Sequence, residues 1–279
     1  MARRKYSVDE ALIARYLKEG RGEGSGADYK PWLKISDVPS LGRSHRLRGI
    51  KTGRVHHFLS DIEANLFYLL DWQDAVVDIR EQFPLDREET QAIAERAGIR
   101  YPVDSHTRVP LVQTTDFLVD YVVAGERQRI AYAVKPVEAL SEPRKAELLD
   151  LERLYWQARN VSWGIVTPEE IPKILTRNIA WAHNYVDLDD LNQPYPGYYA
   201  EKATLVLNEI VSWRGVSLKQ ACLALDDRLS MQPGTSLLLV RHLIACKRLL
   251  CDMAEPLSET CPIERFRAAS PMSMKGRLG

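Results

Sequence analysis

Three residues of this sequence have the types that phosphodiester chemistry needs: Glu63, Asp116 and Lys135. The stretch TTDFLVDYVVAGERQRIAYAVKP, residues 114–136, reads as two apolar strands around a short polar turn, with Asp116 near its start and Lys135 near its end. Charges are expensive among core residues, so at strand ends they are either tolerated or wanted. With 124–127 as the turn, Asp116 lies directly opposite Lys135, and period-two alternation puts both on one face. A cross-strand ion pair, worth roughly 0.2–1 kcal/mol if exposed, is the simpler account of that pair alone.

Glu63 also has two readings. Ser60-Asp61-Ile62-Glu63 fits the S-x-x-E capping box, in which the acid satisfies a backbone N–H at a helix start. Its neighbours four residues away are Leu59 and Phe67, which place the carboxylate on or beside the core-facing side. An acid there calls for a cation. Glu63 from a helix and Asp116 from a strand start could together hold Mg²⁺, a hard cation that takes oxygen ligands and keeps several waters. A nearby Lys135 could then orient an attacking water and steady developing phosphate charge.

These residues need a scaffold. Apolar residues at Leu59, Ile62, Leu66, Leu69 and Leu70 recur with the helical period. The order predicted for residues 59–168 is helix, strand over AVVDIREQFPL, short helix, the hairpin, long amphipathic helix over SEPRKAELLDLERLYWQARN, and a buried strand VSWGIVTP. That is an α/β arrangement, a mixed sheet flanked by helices, with a further amphipathic helix predicted over 7–18. The stretch GRGEGSGADYKPW has the glycines of a phosphate cradle but no G-K-[ST] ending. It reads as a flexible loop that meets a DNA backbone or nothing at all. After Pro168 only helices are predicted, over 169–185, 200–213, 217–228 and 236–251, and from 254 onward a flexible tail. Residues 217–251 fit a helix-turn-helix or a plain bundle equally.

The formal net charge of the 279 residues is zero, so the total favours no class of partner. Residues 1–60, however, carry thirteen basic against six acidic side chains, an excess that attracts phosphates or forms a solvated face. Cys222, Cys246, Cys251 and Cys261 lack paired C-x-x-C spacing, which predicts free thiols in a reducing cytoplasm rather than a zinc site. No apolar run approaches a membrane span, and the N-terminus lacks the core of a signal peptide. His56 and His57 face opposite ways, so one is expected in the core and the other toward phosphate.

The pattern acid, acid, x-Lys on a mixed sheet resembles the restriction-endonuclease-like nucleases. The runs DYKPWLKISDVPS, GRSHR, KTGRVHHFLSDIE, DIREQFPL, TTDFLVD, VKP and LERLYW, in this order between about Tyr6 and Val166, resemble the TnsA family, the endonuclease subunits of heteromeric bacterial cut-and-paste transposases. The resemblance implies a restriction-endonuclease-like catalytic domain over 1–167, a helical, winged-helix-like domain for DNA or partners over 168–254, and a tail over 255–279. It implies Glu63, Asp116 and Lys135 as catalytic residues. The implied metal ligands are Glu63, Asp116 and the Val134 carbonyl, with Mg²⁺ as the cofactor and Mn²⁺ as its substitute. The implied partners are double-stranded DNA at transposon ends, a TnsB-type transposase that cuts the 3′ ends and a TnsC-type ATPase regulator. Two residues before the lysine, where the family carries a polar residue, stands Ala133, which leaves the metal count open. Glu152 in LERLYW reads as an exposed helix charge or as an additional acid near Lys135. A stand-alone restriction or junction-resolving nuclease, and a DNA-binding adaptor on a degenerate nuclease fold, are the alternatives.

Overall fold

The computed structural model describes residues 7–38 and 42–270. Arg3, Arg4, Lys5 and residues 271–279 of the expected tail lie outside the described residues. The chain divides into two compact units, Met1–Ile171 and Pro172–Gly279.

The first unit begins with α1, Glu10–Lys18, capped by the Asp9 side chain, which accepts the Leu12 N–H at 2.7 Å. Its Ile13 and Tyr16 are buried, and the Tyr16 ring meets Trp32 edge-on at 5.3 Å. Next comes an antiparallel ribbon of β1, His45–Arg48, and β2, Val55–Phe58, which periodicity alone does not reveal. Four-residue strands of mixed polarity such as HRLR and VHHF are too short to show alternation. The helix α2, Asp61–Trp72, follows directly, and the Ser60 hydroxyl accepts the Glu63 N–H.

A four-stranded sheet forms the middle of this unit, in the order β3, Val76–Pro84; β4, Thr114–Val123; β5, Glu126–Val134; and β6, Ser162–Val166. The first three strands are antiparallel, and β6 runs parallel to β5 after the crossover helix α4, Pro143–Gln157. Between β3 and β4 lies α3, Arg87–Ala97. One core cluster joins the sheet to α2 through Phe58, Phe67, Ile79, Phe117 and Val119. The rings of Phe58, Phe67 and Phe117 have no exposed surface, and each such burial contributes about 1.5–3 kcal/mol. A second cluster packs α3 and α4 on the sheet through Ile93, Leu118, Ala131, Leu151 and Trp156. This is the mixed, helix-flanked α/β architecture expected of a restriction-endonuclease-like domain.

The hairpin register departs from the sequence expectation. Phe117 pairs with Tyr132 and Val123 with Glu126, so the turn holds two residues rather than four. Ala124 and Gly125 take φ values of 52° and 83°, the pair of positive angles that a type I′ turn requires. Asp116 is therefore not the cross-strand partner of Lys135, although the shift by two positions preserves the alternation.

The second unit contains α5, Lys173–His183; α6, Tyr198–Ile210; α7, Leu218–Arg228; and α8, Thr235–Ala245. Buried Asp226 accepts the N–H groups of Gly234 and Ser236, both at 2.7 Å, and so caps α8 from α7. The helix expected to reach 251 ends at Ala245, and Lys247 leaves it with a φ of 55°. Residues 249–250 form β7, Leu249–Leu250, paired with β8, Arg267–Ala268. This corrects the expected tail: over 255–270 the chain is ordered, with Cys261, Ile263 and Phe266 buried. Cys261 lends its carbonyl to the Leu218 N–H at 2.8 Å, and Ile263 donates to Val216 at 3.0 Å. The helices α7 and α8 are thus followed by a two-stranded ribbon. No residue of α8 is fully exposed, because α5, α6 and α7 all pack on it. Among the described residues no helix is long and apolar enough to cross a membrane.

Candidate active site

Asp116 stands near the start of β4, where the ladder to β5 ends at the Phe117–Tyr132 pair. Beyond that pair the Asp116 side chain takes the place of a backbone acceptor. Its Oδ2 accepts the Val134 N–H at 2.7 Å and the Lys135 ammonium at 2.6 Å. The Lys135 N–H donates to the Val166 carbonyl at 3.0 Å, which ties the lysine to β6. Burial works against the charge on Lys135, but Asp116, Glu152 and Glu63 outweigh it and raise its pKa. The side chain stays about a third exposed (32%), so the ammonium is charged and reachable.

Glu63 hydrogen-bonds at the start of α2 and feels the charge of Asp116. Its Oε2 accepts the Leu59 N–H at 3.0 Å and its Oε1 accepts the Ser60 hydroxyl at 2.8 Å, while that hydroxyl caps α2 by accepting the Glu63 N–H. Burial, followed by the charge of Asp116, raises its pKa to about 7. Glu63 and Asp116 are therefore electrostatic neighbours, with Lys135 as the cation beside Asp116.

Glu152 on α4 is not the exposed charge that its helix suggests. It is buried, and its Oε1 accepts from the Thr115 hydroxyl at 2.7 Å and the Trp163 indole at 2.9 Å. The Trp156 indole donates in turn to Thr115 at 2.6 Å. Burial and the Asp116 charge raise the pKa of Glu152 to about 7. It acts on Lys135 through space, since its hydrogen bonds go to Thr115 and Trp163.

The sequence does not single out Gln82, whose amide lies 3.4 Å from Asp116 Oδ1. Consecutive polar residues, Glu81 and Gln82, inside an apolar strand were the available signal. Glu81 is fully buried and receives the Arg54 guanidinium at 2.5 and 2.8 Å, His56 Nδ1 at 2.8 Å and the His57 N–H at 3.1 Å. Burial opposes its charge, but His56 and Arg54 hold it well below the usual carboxylate range. His56 is thus a core residue, as alternation suggests. His57 is half-buried on the other face of the ribbon, opposite exposed Arg46, and burial lowers its pKa.

Among the described residues no group of three or more His, Cys, Asp or Glu side chains could hold a metal. A site with two carboxylates still suits Mg²⁺, which binds through one or two of them and keeps its waters. The donor set here is all oxygen, and the Asp116 charge adds to the burial that raises the pKa of Glu63. Ala133 is wholly buried and offers only a methyl group.

Two family models match this chain, TnsA-like endonuclease N terminal over residues 73–168 and TnsA endonuclease C terminal over residues 170–253. The Transposon Tn7 transposition protein TnsA of Escherichia coli is 48% identical over 184 residues, 66% of this chain. The aligned stretch spans 66% of that relative's own length. With both units matched by models of one family, the chain belongs to the TnsA endonuclease family.

Proposed function

We propose that this chain is the endonuclease subunit of a Tn7-type transposase, a divalent-metal-dependent enzyme that hydrolyses the 5′ strands at transposon ends. The observation that carries this reading is the carboxylate of Asp116, held by Val134 N–H and Lys135 at the end of two strands and electrostatically coupled to Glu63. Family membership supplies the reaction class.

Glu63, Asp116 and the Val134 carbonyl would hold Mg²⁺, with Mn²⁺ as a substitute. When bound, the cation supplies Lewis-acid stabilisation of charge on the phosphate and on the departing oxygen. Lys135 orients the attacking water and lies where the phosphate accumulates negative charge. The water oxygen bonds to phosphorus, the P–O3′ bond breaks, and a 3′-hydroxyl and a 5′-phosphate remain. Glu63 would hold the cation through its ionised carboxylate, so loading would favour its deprotonated form.

Double-stranded DNA is the substrate, and exposed Arg46 on the ribbon, with exposed Arg43 just before it, supplies positive charge. A TnsB-type transposase and a TnsC-type ATPase are the partners, and the setting is cytoplasmic. The test is strand-mapped cleavage of labelled transposon-end DNA in Mg²⁺, with the chain alone, with both partners, and with Asp116→Ala in the full mixture. Selective loss of the 5′-strand cuts in the mutant mixture is expected. Unchanged cutting would leave a non-catalytic adaptor, the reading that Ala133 favours. Cutting by the chain alone would favour a stand-alone nuclease.

A further inference from the structure

Gln82 is a buried polar residue in an unusual backbone conformation. Its neighbours keep the β3–β4 ladder, Glu81 with Phe117 and Phe83 with Thr115, yet its own φ is 47°. Left-handed angles are uncommon outside glycine, and such strain persists only where the surroundings enforce it. The surroundings here are the glycine-rich loop. The Trp32 N–H donates to the Gln82 carbonyl at 3.1 Å, and the Tyr29 hydroxyl donates to the Glu81 carbonyl at 3.1 Å. Gly22 lies against the Pro84 ring, where a Cβ would come within 2.2 Å of Cγ. The loop therefore grips three positions of β3, namely 81, 82 and 84.

The side chain that results is aimed at the site. Gln82 Oε1 accepts from the Thr114 hydroxyl at 3.3 Å, while Nε2 points to Asp116 Oδ1 at 3.4 Å. A carboxylate only accepts, so the amide orientation is determined. The contact is long, as such bonds often are before a site is loaded. Oδ2 is already taken by Val134 and Lys135, which leaves Gln82 as the group addressing the other oxygen.

We infer that Gln82 is a positioning residue for Asp116, setting the carboxylate plane so that Oδ1 meets an incoming divalent cation, and that the glycine-rich loop holds it in place. This rests on the nuclease reading above and adds a residue and a brace to it.

The test uses the full chain and two variants. Gln82→Ala removes the amide and keeps the backbone strain, whereas Gln82→Gly removes both. Calorimetric titration with Mn²⁺ alone should show both variants binding about tenfold more weakly or worse, the scale of lost support around a metal ligand. In the full cleavage mixture the single-turnover rate should fall by a similar factor, with affinity for duplex DNA unchanged. In an Asp116→Asn background the effect of Gln82→Ala on Mn²⁺ affinity should vanish. A purely structural role predicts otherwise: Gln82→Gly, relieved of strain, would bind Mn²⁺ and cut like the parent. Parental Mn²⁺ affinity in both variants sinks this inference alone. No Mn²⁺ binding and no cutting by the parent would sink it together with the nuclease reading.

Discussion

The carboxylate of Asp116 accepts the backbone N–H of Val134 at 2.7 Å, at the point where β4 and β5 cease to pair. A side chain thus completes the sheet and presents a carboxylate at the same time. Asp116→Ala leaves that N–H without its acceptor, at a cost of about 1–3 kcal/mol if it stays buried. Asp116→Asn keeps one acceptor oxygen and should melt close to the parent. Both variants should lose 5′-strand cutting by about a hundredfold or more, the scale of losing one charge-stabilising group. Chemical denaturation and strand-mapped cleavage, run side by side, separate the two effects.

The acids Glu63 and Glu152, with pKa values of about 7, define a pH dependence. Each has a folded pKa raised above its unfolded value, so the folded state binds more protons between about pH 4.3 and 7. Their stabilising contribution is complete below that window and is lost as pH rises through about 7. The metal-free protein should melt at progressively lower temperature across this range, and Glu152→Gln should flatten the trend. Mg²⁺ should bind more tightly as pH rises, with release of a proton from Glu63. A melting temperature that climbs over the same window without metal would contradict this assignment.

Gly22 has a φ of 85° and no room for a side chain beside Pro84. Gly22→Ala should destabilise the protein by about 1–3 kcal/mol through strain and overpacking. Because the loop braces β3 at Gln82, the cleavage rate should fall as well. Gly26→Ala, at a position with open space and a φ of 55°, is the control and should be milder. Thermal melts of the two variants, compared directly, decide it.

Arg46 is exposed on β1, opposite His57, one strand pair from the end of the ribbon that leads to Glu63. If it meets a phosphate, Arg46→Ala should make the log–log salt dependence of duplex binding shallower by about one. Binding isotherms at several salt concentrations measure that slope, and an unchanged slope would place the phosphate contacts elsewhere.

Several features were legible because they depend on neighbours in sequence. The helical period around Leu66, the S-x-x-E box at Ser60, and the apolar strands on either side of Ala124-Gly125 all rest on short-range stereochemistry. The β1–β2 ribbon was not legible, because His56 is buried against Phe67 and hydrogen-bonded to Glu81, twenty-five residues away. Nor was the turn: Ala-Gly lacks the Asn or Asp that announces a type I′ hairpin, and the register followed the backbone rather than the composition. The ordered segment 255–270 looked like a tail because its three buried side chains, Cys261, Ile263 and Phe266, are too sparse to show a period.

By itself the sequence determined which residues could do the chemistry, since the types and order of Glu63, Asp116 and Lys135 are fixed by the chain. Tertiary structure decided how they meet. The ending of the β4–β5 ladder, the burial that raises Glu63 and Glu152, and the loop that turns Gln82 toward Asp116 all arise from contacts between distant segments. Desolvation and hydrogen-bond geometry depend on what surrounds a group in space, and a linear order of residues does not carry that information.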